Sequence, residues 1–245
     1  MPPEIKIVSD ATELYRAAAD EFANCAKTSI QAHGKLSVAL SGGSTPRGIY
    51  SLLAEDQKNP AKKLPWEKVF IFFGDERNVP PTDPESNYRM ANESLLSKVP
   101  IPKENIFRIA AELDANTAAT QYEQQLTRFF NLKPNEWPRF DLIMLGMGPD
   151  GHTASLFPGS PALDETQRKV VANWVEKLKT HRITFTFPVL NHAAEVMFTV
   201  SGSEKAEVLK DVLENPDKSL YPSQRVQPED GKLLWIIDKA ATRLL

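Results

Sequence analysis

Short apolar runs alternate along this chain with longer segments in which apolar residues recur at helical spacing. The continuous runs are typical of strands in a parallel sheet covered on both faces, and the recurring pattern is typical of amphipathic helices. This alternation predicts an α/β protein with a mostly parallel sheet and helices on both faces. The apolar runs predict strands at residues 5–8, 36–40, 69–73, 142–145, 170–175, 183–187, 195–200 and 233–237.

Capping residues predict where the helices begin and end. Asp10 or Thr12 can cap the first helix, which Gly34 ends. Thr45 before Pro46 predicts the N-cap and the first position of the second helix. Further helices are predicted over residues 87–96 and 116–130, from a capping box at Ser201 and Glu204 through residue 213, and in a short segment after the last strand.

No internal repeat, low-complexity segment or linker interrupts the 245 residues, which predicts a single domain over residues 1–245. Hydrophobic residues make up 41% and charged residues 25%, as in ordinary soluble globular proteins. The net charge of -3 argues against a nucleic-acid partner. Any anion site must therefore be a local cluster of cations and backbone N–H groups.

The single cysteine, Cys25, excludes an intrachain disulfide and fits a reducing compartment. It lies on the apolar face of the first predicted helix without a neighbouring histidine or basic cluster, which favours a buried hydrophobe over a reactive thiol. The N-terminal residues lack the apolar core of a signal peptide, and no apolar run is long enough to cross a bilayer. We therefore expect a cytoplasmic protein without a membrane partner.

A glycine-rich loop after the predicted strand 142–145 is the first candidate for chemistry. Gly146, Gly148 and Gly151 bracket Asp150 and His152 in this loop. Glycine lets a ligand approach the backbone closely, and open α/β sheets bind ligands beyond the carboxyl ends of their strands. Because histidine titrates near neutrality, we expect His152 to act as a catalytic base.

The loop after the predicted strand 36–40 is a candidate phosphate site. Its sequence, Ser-Gly-Gly-Ser-Thr-Pro over residues 41–46, leads into a helix. Free N–H groups, hydroxyls and the positive end of a helix dipole predict a phosphate cradle at Gly42, Gly43, Ser44 and Thr45. An ordinary capped turn remains the alternative, and the Gly-Lys-Ser/Thr ending of a P-loop is missing.

The third candidate is the acid–acid–base sequence Asp75-Glu76-Arg77, which ends the predicted strand 69–73. Its side chains are expected at the same sheet edge as the first two loops. The alternative is a solvated charged turn with an internal Asp–Arg pair. The connection over residues 78–88 is long and rich in proline, which suggests a binding loop.

The chain also offers features of a dinucleotide site and of a metal site. The loop 146–151 matches the dinucleotide fingerprint Gly-x-Gly-x-x-Gly, which makes a nicotinamide-dependent oxidoreductase the first alternative. Against it, Pro149 lacks an N–H where a pyrophosphate needs donors, and no clear acidic residue ends a strand about 20 residues further on. His181 and His192 show no zinc-like spacing with cysteine or glutamate, so no functional metal is expected.

Three segments together resemble the 6-phosphogluconolactonase family. They are Leu-Ser-Gly-Gly-Ser-Thr-Pro at 40–46, Phe-Phe-Gly-Asp-Glu-Arg at 72–77 and Gly-Met-Gly-Pro-Asp-Gly-His-Thr-Ala-Ser-Leu-Phe-Pro at 146–158. The resemblance implies a modified Rossmann-like fold shared with glucosamine-6-phosphate deaminases and ribose-5-phosphate isomerases. It also implies hydrolysis of 6-phospho-D-glucono-1,5-lactone to 6-phosphogluconate in the oxidative pentose phosphate pathway, without a cofactor. The partner would be this small sugar-phosphate lactone, and a monomer or weak dimer is expected.

The deaminase relatives share the Asp-Gly-His core and an Asp-Glu pair matching Asp75-Glu76. Their pattern has a tyrosine at the position of Arg77 and a glutamate, used in ring opening, at the position of Phe157. Phenylalanine cannot transfer that proton, and Arg77 adds a fixed cation suited to an oxyanion. The lactonase interpretation is therefore favoured, with a non-catalytic sugar-phosphate sensor as the second alternative.

Lactone hydrolysis suggests a role for each candidate. His152 would act as base toward water and then as acid toward the ring oxygen, and a helix over residues 153–157 would keep its imidazole neutral. Asp150 would orient His152 or hold sugar hydroxyls, or else only cap the turn. Asp75 would contact the sugar or the water, and Arg77 would face the lactone carbonyl.

Phosphate binding requires more free energy than the predicted cradle of residues 42–45 can supply. Micromolar binding requires about 8 kcal/mol, whereas a helix terminus supplies about 2 kcal/mol at most. Arg182 and Lys205 lie in segments that resemble the family, and they are expected to complete the phosphate site with residues 42–45.

Overall fold

Six parallel strands form the main sheet of the computed structural model, which describes residues 2–217 and 219–245. These strands are β1 (Glu4–Val8), β2 (Leu36–Leu40), β3 (Val69–Phe73), β5 (Leu142–Leu145), β8 (Glu195–Val200) and β9 (Lys232–Asp238). Their order across the sheet is β1-β9-β8-β5-β2-β3. Three short strands, β4 (Asp75–Arg77), β6 (Val170–Val175) and β7 (Thr180–Phe185), form a separate antiparallel sheet in the order β4-β7-β6.

Helices cover the main sheet. Every residue of β2, β5 and β8 is buried, and because successive side chains point to opposite faces, both faces must be covered. The predicted α/β class with a mostly parallel sheet is confirmed. The α-helices of the described residues are α1 (Ala11–His33), α2 (Ser44–Asp56), α3 (Asn87–Ser94), α4 (Ala115–Phe130), α5 (Phe187–Asn191) and α6 (Ala206–Glu214).

The first helix has the predicted ends. The Asp10 carboxylate accepts hydrogen bonds from the N–H groups of Thr12 (2.9 Å) and Glu13 (3.0 Å). Gly34 ends the helix with a positive φ of 85°, and its N–H donates to the Ile30 carbonyl at 2.9 Å. Glycine suits this left-handed conformation because it has no Cβ.

The start of α2 differs from the prediction. The helix begins at Ser44 rather than at Pro46, and Gly43, not Thr45, occupies the N-cap. The reason is the positive φ of 113° at Gly43, which turns the chain into the helix two residues early. The backbone N–H groups of Ser44 and Thr45 lie in the first turn and have no partner within the helix.

Three other local predictions are wrong. The strand predicted at 183–187 runs from Thr180 to Phe185, because Phe187 begins α5 and Pro188 cannot donate to a sheet. The capping box at Ser201 is absent, since its hydroxyl donates to the Asp238 carboxylate at 2.5 Å. Residues 239–244 form turns instead of a helix, with the Ala241 N–H donating to the same carboxylate.

Among the residues described, no helix combines the length and the apolar character that crossing a membrane requires.

A buried charge cluster lies where β8 and β9 begin. The Cys25 thiol donates to Glu195 Oε2 at 3.3 Å, and Lys232 Nζ lies 3.7 Å from Glu195 Oε1 and 2.7 Å from Glu21 Oε1. Burial, and then Glu195, raise the pKa of the thiol, in keeping with the inert cysteine that was predicted. Glu21, Cys25 and Glu195 offer potential metal-ligand atoms within 4.8 Å of one another. Sequence spacing could not reveal this set, and the absence of a functional metal stays a prediction.

The cluster predicts a pH-dependent stability. Burial and the neighbouring Glu21 raise the pKa of Glu195 from 4.5 to about 7. Between these values the folded protein keeps a proton that the unfolded chain has released, so the free energy of unfolding falls as the pH rises from 4.5 through 7. Glu195→Gln should therefore raise the free energy of unfolding by about 1–3 kcal/mol at pH 8 but have little effect at pH 4.

Urea unfolding at the two pH values measures this effect. The exposed Glu104→Gln exchange removes the same charge elsewhere and should leave the pH dependence unchanged. Equal stability of Glu195→Gln and the wild-type protein at pH 8 would contradict the prediction.

Candidate active site

A cavity of about 240 Å³ opens beyond the carboxyl ends of β2 and β5. It is smaller than the roughly 300–1,000 Å³ of pockets for drug-sized ligands, which suits a small metabolite. Its lining combines predicted site residues with some that were not predicted. These residues are Ser41, Gly42, Gly43, Asp75, Arg77, Asn87, Gly146, Met147, Gly148, Pro149, His152, Ala154 and Lys205.

The loop after β5 brings its own ends together. The Gly148 N–H donates to the His152 carbonyl at 2.8 Å, and the Gly151 N–H donates to the Gly148 carbonyl at 3.0 Å. A Cβ atom at position 148 would lie 2.1 Å from Nδ1 and from Cε1 of His152. The imidazole therefore occupies space that only glycine leaves free.

Asp150 holds the imidazole of His152 through a hydrogen bond of 2.5 Å between Oδ1 and Nδ1. Its other oxygen, Oδ2, accepts from Lys177 Nζ at 3.3 Å. Burial alone would raise the pKa of Asp150, but the contacts with His152 and Lys177 outweigh it and keep that pKa below its ordinary value. Because an ionised carboxylate only accepts, Nδ1 must carry the hydrogen, so in the neutral imidazole the lone pair lies on Nε2.

The helix considered over residues 153–157 does not form. Thr153 and Leu156 instead pair as an isolated bridge around Ala154, whose φ is 47°. The Thr153 hydroxyl donates to the Gly146 carbonyl at 2.9 Å, which ties this turn back to the loop. No helix dipole therefore acts on His152, and the Phe157 ring stacks on its imidazole at 4.1 Å between centroids.

Asp75 lines the cavity, yet both of its carboxylate oxygens already have partners. Oδ2 accepts from the Ser155 hydroxyl at 2.6 Å, and Oδ1 accepts from Asn87 Nδ2 at 3.3 Å. Asn87 in turn lies against Gly42, where an added Cβ would be 1.8 Å from its Oδ1. Asp75 thus connects the loops around the cavity as well as facing it.

Glu76 points away from this network. Its carboxylate accepts hydrogen bonds from the N–H groups of Asn87 (2.7 Å) and Tyr88 (2.8 Å) at the start of α3, and from the Ser86 hydroxyl at 3.0 Å. Burial raises the pKa of Glu76 despite these bonds. Asp75 and Glu76 are both buried, so the alternative of a solvated turn is wrong.

Arg77 and Arg182 are direct partners across β4 and β7. Arg77 Nη1 donates to the Glu85 carbonyl, while no hydrogen bond or ion pair of the Arg182 guanidinium is present in the described residues. Burial, and then the charge of Arg77, lower the pKa of Arg182. An arginine nonetheless stays protonated, so two positive charges lie side by side near the cavity.

The predicted site residues separate into two groups. Lining the cavity are Gly42, Gly43, Asp75, Arg77, His152 and Lys205. Outside the lining, Asp150 is hydrogen-bonded to His152, Arg182 lies beside Arg77 across the β4–β7 pair, and Ser44 and Thr45 lie in the first turn of α2. Lys205 precedes α6 as its N-cap and makes no ion pair in the part of the chain that the structure describes.

Sequence reasoning missed Ser41 and Asn87. The Ser41 hydroxyl oxygen is buried without a hydrogen-bond partner in the described structure, although the residue itself lines the cavity. Its position directly before Gly42, in the predicted phosphate loop, could have identified Ser41 as a cavity residue. Asn87 lies in the 86–88 segment, but only the folded chain shows that its amide reaches Asp75.

Comparisons with known proteins agree over almost the whole chain. A family model described as glucosamine-6-phosphate isomerases/6-phosphogluconolactonase matches residues 9–235. A 6-phosphogluconolactonase of Nostoc sp. is 42% identical over 98% of this chain and 98% of its own length. The solved 6-phosphogluconolactonase from Trypanosoma cruzi is 31% identical, with a TM-score of 0.88 over 100% of this chain and 97% of that one. A monomeric glucosamine-6-phosphate deaminase, 19% identical with a TM-score of 0.82 over 99% of this chain and 100% of its own, shares the fold.

Proposed function

The chain belongs to the family of glucosamine-6-phosphate isomerases and 6-phosphogluconolactonases, and we propose that it hydrolyses 6-phospho-D-glucono-1,5-lactone to 6-phosphogluconate. The observation that carries the proposal is the Asp150–His152 pair, with its 2.5 Å hydrogen bond, beside a small cavity that Arg77 and Lys205 also line. The fixed tautomer leaves a basic nitrogen available to a water molecule. The relative named 6-phosphogluconolactonase at 42% identity supports the same reaction.

The proposed reaction uses His152 twice. Nε2 takes a proton from water as the water oxygen bonds to the lactone carbonyl carbon, and the carbonyl oxygen becomes an oxyanion. The bond between that carbon and the ring oxygen then breaks, and the ring oxygen takes the proton back from Nε2. Such acid–base catalysis contributes about 10²–10⁴-fold in rate.

Arg77 is proposed to face the oxyanion. One of its nitrogens is engaged by the Glu85 carbonyl, which fixes the guanidinium and leaves its other N–H groups for the substrate. Asp75 is proposed to contact the sugar or the water. Because both of its oxygens are already bonded, its hydrogen bonds to Ser155 and Asn87 are proposed to align the loops as well.

The phosphate is proposed to bind at Lys205 and the loop of residues 42–45. Lys205 is a cation without an ion-pair partner in the described residues, and the first N–H groups of α2 are unused by that helix. Arg182 is proposed to contribute its charge from its place beside Arg77. Together these groups offset the double negative charge that a helix terminus alone cannot hold.

We further propose that the chain acts as one domain over residues 1–245, as a monomer or weak dimer, in the oxidative pentose phosphate pathway. No cofactor is needed for the steps proposed. The single cysteine favours a reducing compartment such as the cytoplasm.

A lactonase assay tests the proposal. Freshly generated 6-phosphogluconolactone should be hydrolysed well above the spontaneous rate, which must be subtracted. Glucosamine 6-phosphate should release no ammonia, because Phe157 offers no carboxylate for ring opening. A lactone rate no faster than the spontaneous one would refute the function, and ammonia release would favour the deaminase.

A further inference from the structure

The Phe157 ring lies outside the hydrophobic core of the described protein. It is partly exposed, and its ring contact is the imidazole of His152, with centroids 4.1 Å apart and planes inclined by 22°. An aromatic side chain that only filled space would be expected among the other apolar rings. The contact with His152 therefore calls for another explanation.

The hydrogen bond that His152 donates to Asp150 does not fully fix the imidazole. It holds the ring at Nδ1 alone, and small rotations about the Cα–Cβ and Cβ–Cγ bonds would still tilt the ring and displace Nε2. A ring stacked on the imidazole face blocks that rotation. The backbone of Gly148, too close to the imidazole for any side chain, limits movement toward the loop.

The backbone of Phe157 is itself anchored. Its carbonyl accepts hydrogen bonds from the Ser160 N–H at 3.0 Å and from the Ser160 hydroxyl at 2.8 Å. Asn173 Nδ2 on β6 donates to the same hydroxyl oxygen at 2.9 Å. The backbone that carries the ring is thus tied through Ser160 to β6 of the antiparallel sheet.

We infer that Phe157 is a positioning residue, which holds the plane of the His152 imidazole so that Nε2 stays directed at the reacting water. This inference rests on the proposed function. Phe157 does not line the cavity, so it acts through His152 and not on the substrate. Misplacing a catalytic group by about 1 Å can cost on the order of 100-fold in rate.

Two substitutions at this position test the role. Phe157→Leu keeps an apolar side chain but removes the stacked ring, so kcat should fall by about 10- to 100-fold while KM changes less than about twofold. Phe157→Tyr keeps the ring and should restore most of kcat. Phe130→Leu, which removes a partly buried ring from the core, is the matched control and should lower thermal stability without lowering kcat.

Proton NMR of the histidine rings gives a readout that does not depend on activity. In the wild type, the stacked Phe157 ring should shift the His152 imidazole protons upfield, and the His152→Asn spectrum identifies those signals among the four histidines. The upfield shift should vanish in Phe157→Leu and persist in Phe157→Tyr. Unchanged His152 signals in Phe157→Leu would overturn the stacking on which the inference rests.

The kinetic outcomes separate the two hypotheses. A wild-type rate at the spontaneous level would refute the proposed function itself. A fast wild type with an equally fast Phe157→Leu variant would refute only the positioning role. The role also fails if Phe157→Tyr loses as much kcat as Phe157→Leu, or if the loss in Phe157→Leu lies in KM.

Discussion

His152→Asn should reduce the kcat for lactone hydrolysis by at least about 100-fold with no loss of folding. Asparagine keeps an N–H group that can donate to Asp150, so the loop retains its hydrogen bond. It has no lone pair basic enough to take a proton from water. The loss should therefore appear in kcat, since the residues proposed to hold the phosphate are unchanged.

Steady-state kinetics with subtraction of the spontaneous rate measure this effect, and circular dichroism checks the fold. His33→Asn is the matched control, because His33 lies at the end of α1 and pairs with Asp141 at 2.8 Å. Both residues precede the amino ends of β2 and β5, whereas the cavity lies beyond the carboxyl ends of these strands. It should keep wild-type kcat. Residual activity of His152→Asn within a few-fold of wild type would mean that another group activates the water.

Lys205→Met should lower kcat/KM for the phosphorylated lactone by about 10- to 100-fold, as expected when a charge-assisted contact of about 1.5–3 kcal/mol is lost. The unphosphorylated glucono-1,5-lactone should be hydrolysed at an unchanged rate. The substitution should also leave the fold slightly more stable, because a cation before the first turn of α6 opposes the helix dipole at a cost of about 0.3–1 kcal/mol.

The ratio of kcat/KM for the two lactones is the decisive measurement. Lys210→Met is the control, since Lys210 lies further along α6 and pairs with Glu214 at 3.8 Å. It should leave the ratio unchanged. An equal loss with both lactones would place Lys205 near the reacting carbonyl instead of the phosphate.

Local sequence patterns predicted most of the secondary structure of this protein. The strands at 36–40, 69–73, 142–145, 170–175 and 195–200 have the predicted bounds because short apolar runs between turn residues depend little on distant contacts. Helix ends were less predictable. Gly43 rather than Thr45 caps α2, since a positive φ is chosen by the path of the chain and not by a residue preference alone.

The candidate site was predicted in part, and its limits follow from distance along the chain. Asp150 and His152 are two residues apart, so their pairing was within reach of the sequence. Asp75 and Ser155 are 80 residues apart, and they meet because the Ser155 N–H binds the Thr184 hydroxyl of β7, the strand that pairs with β4. The same is true of Arg77 and Arg182, which become neighbours only when β4 pairs with β7.

Residue type and close spacing were enough to predict the α/β class, the glycine-rich loops at the strand ends and the place of His152 in one of them. The folded chain was needed to show that Glu76 binds the first N–H groups of α3 while Asp75 lines the cavity. It also showed that the neighbour of His152 is the Phe157 ring and not the end of a helix. Contacts of this kind join residues through packing and sheet pairing, which no local pattern of apolar and polar positions specifies.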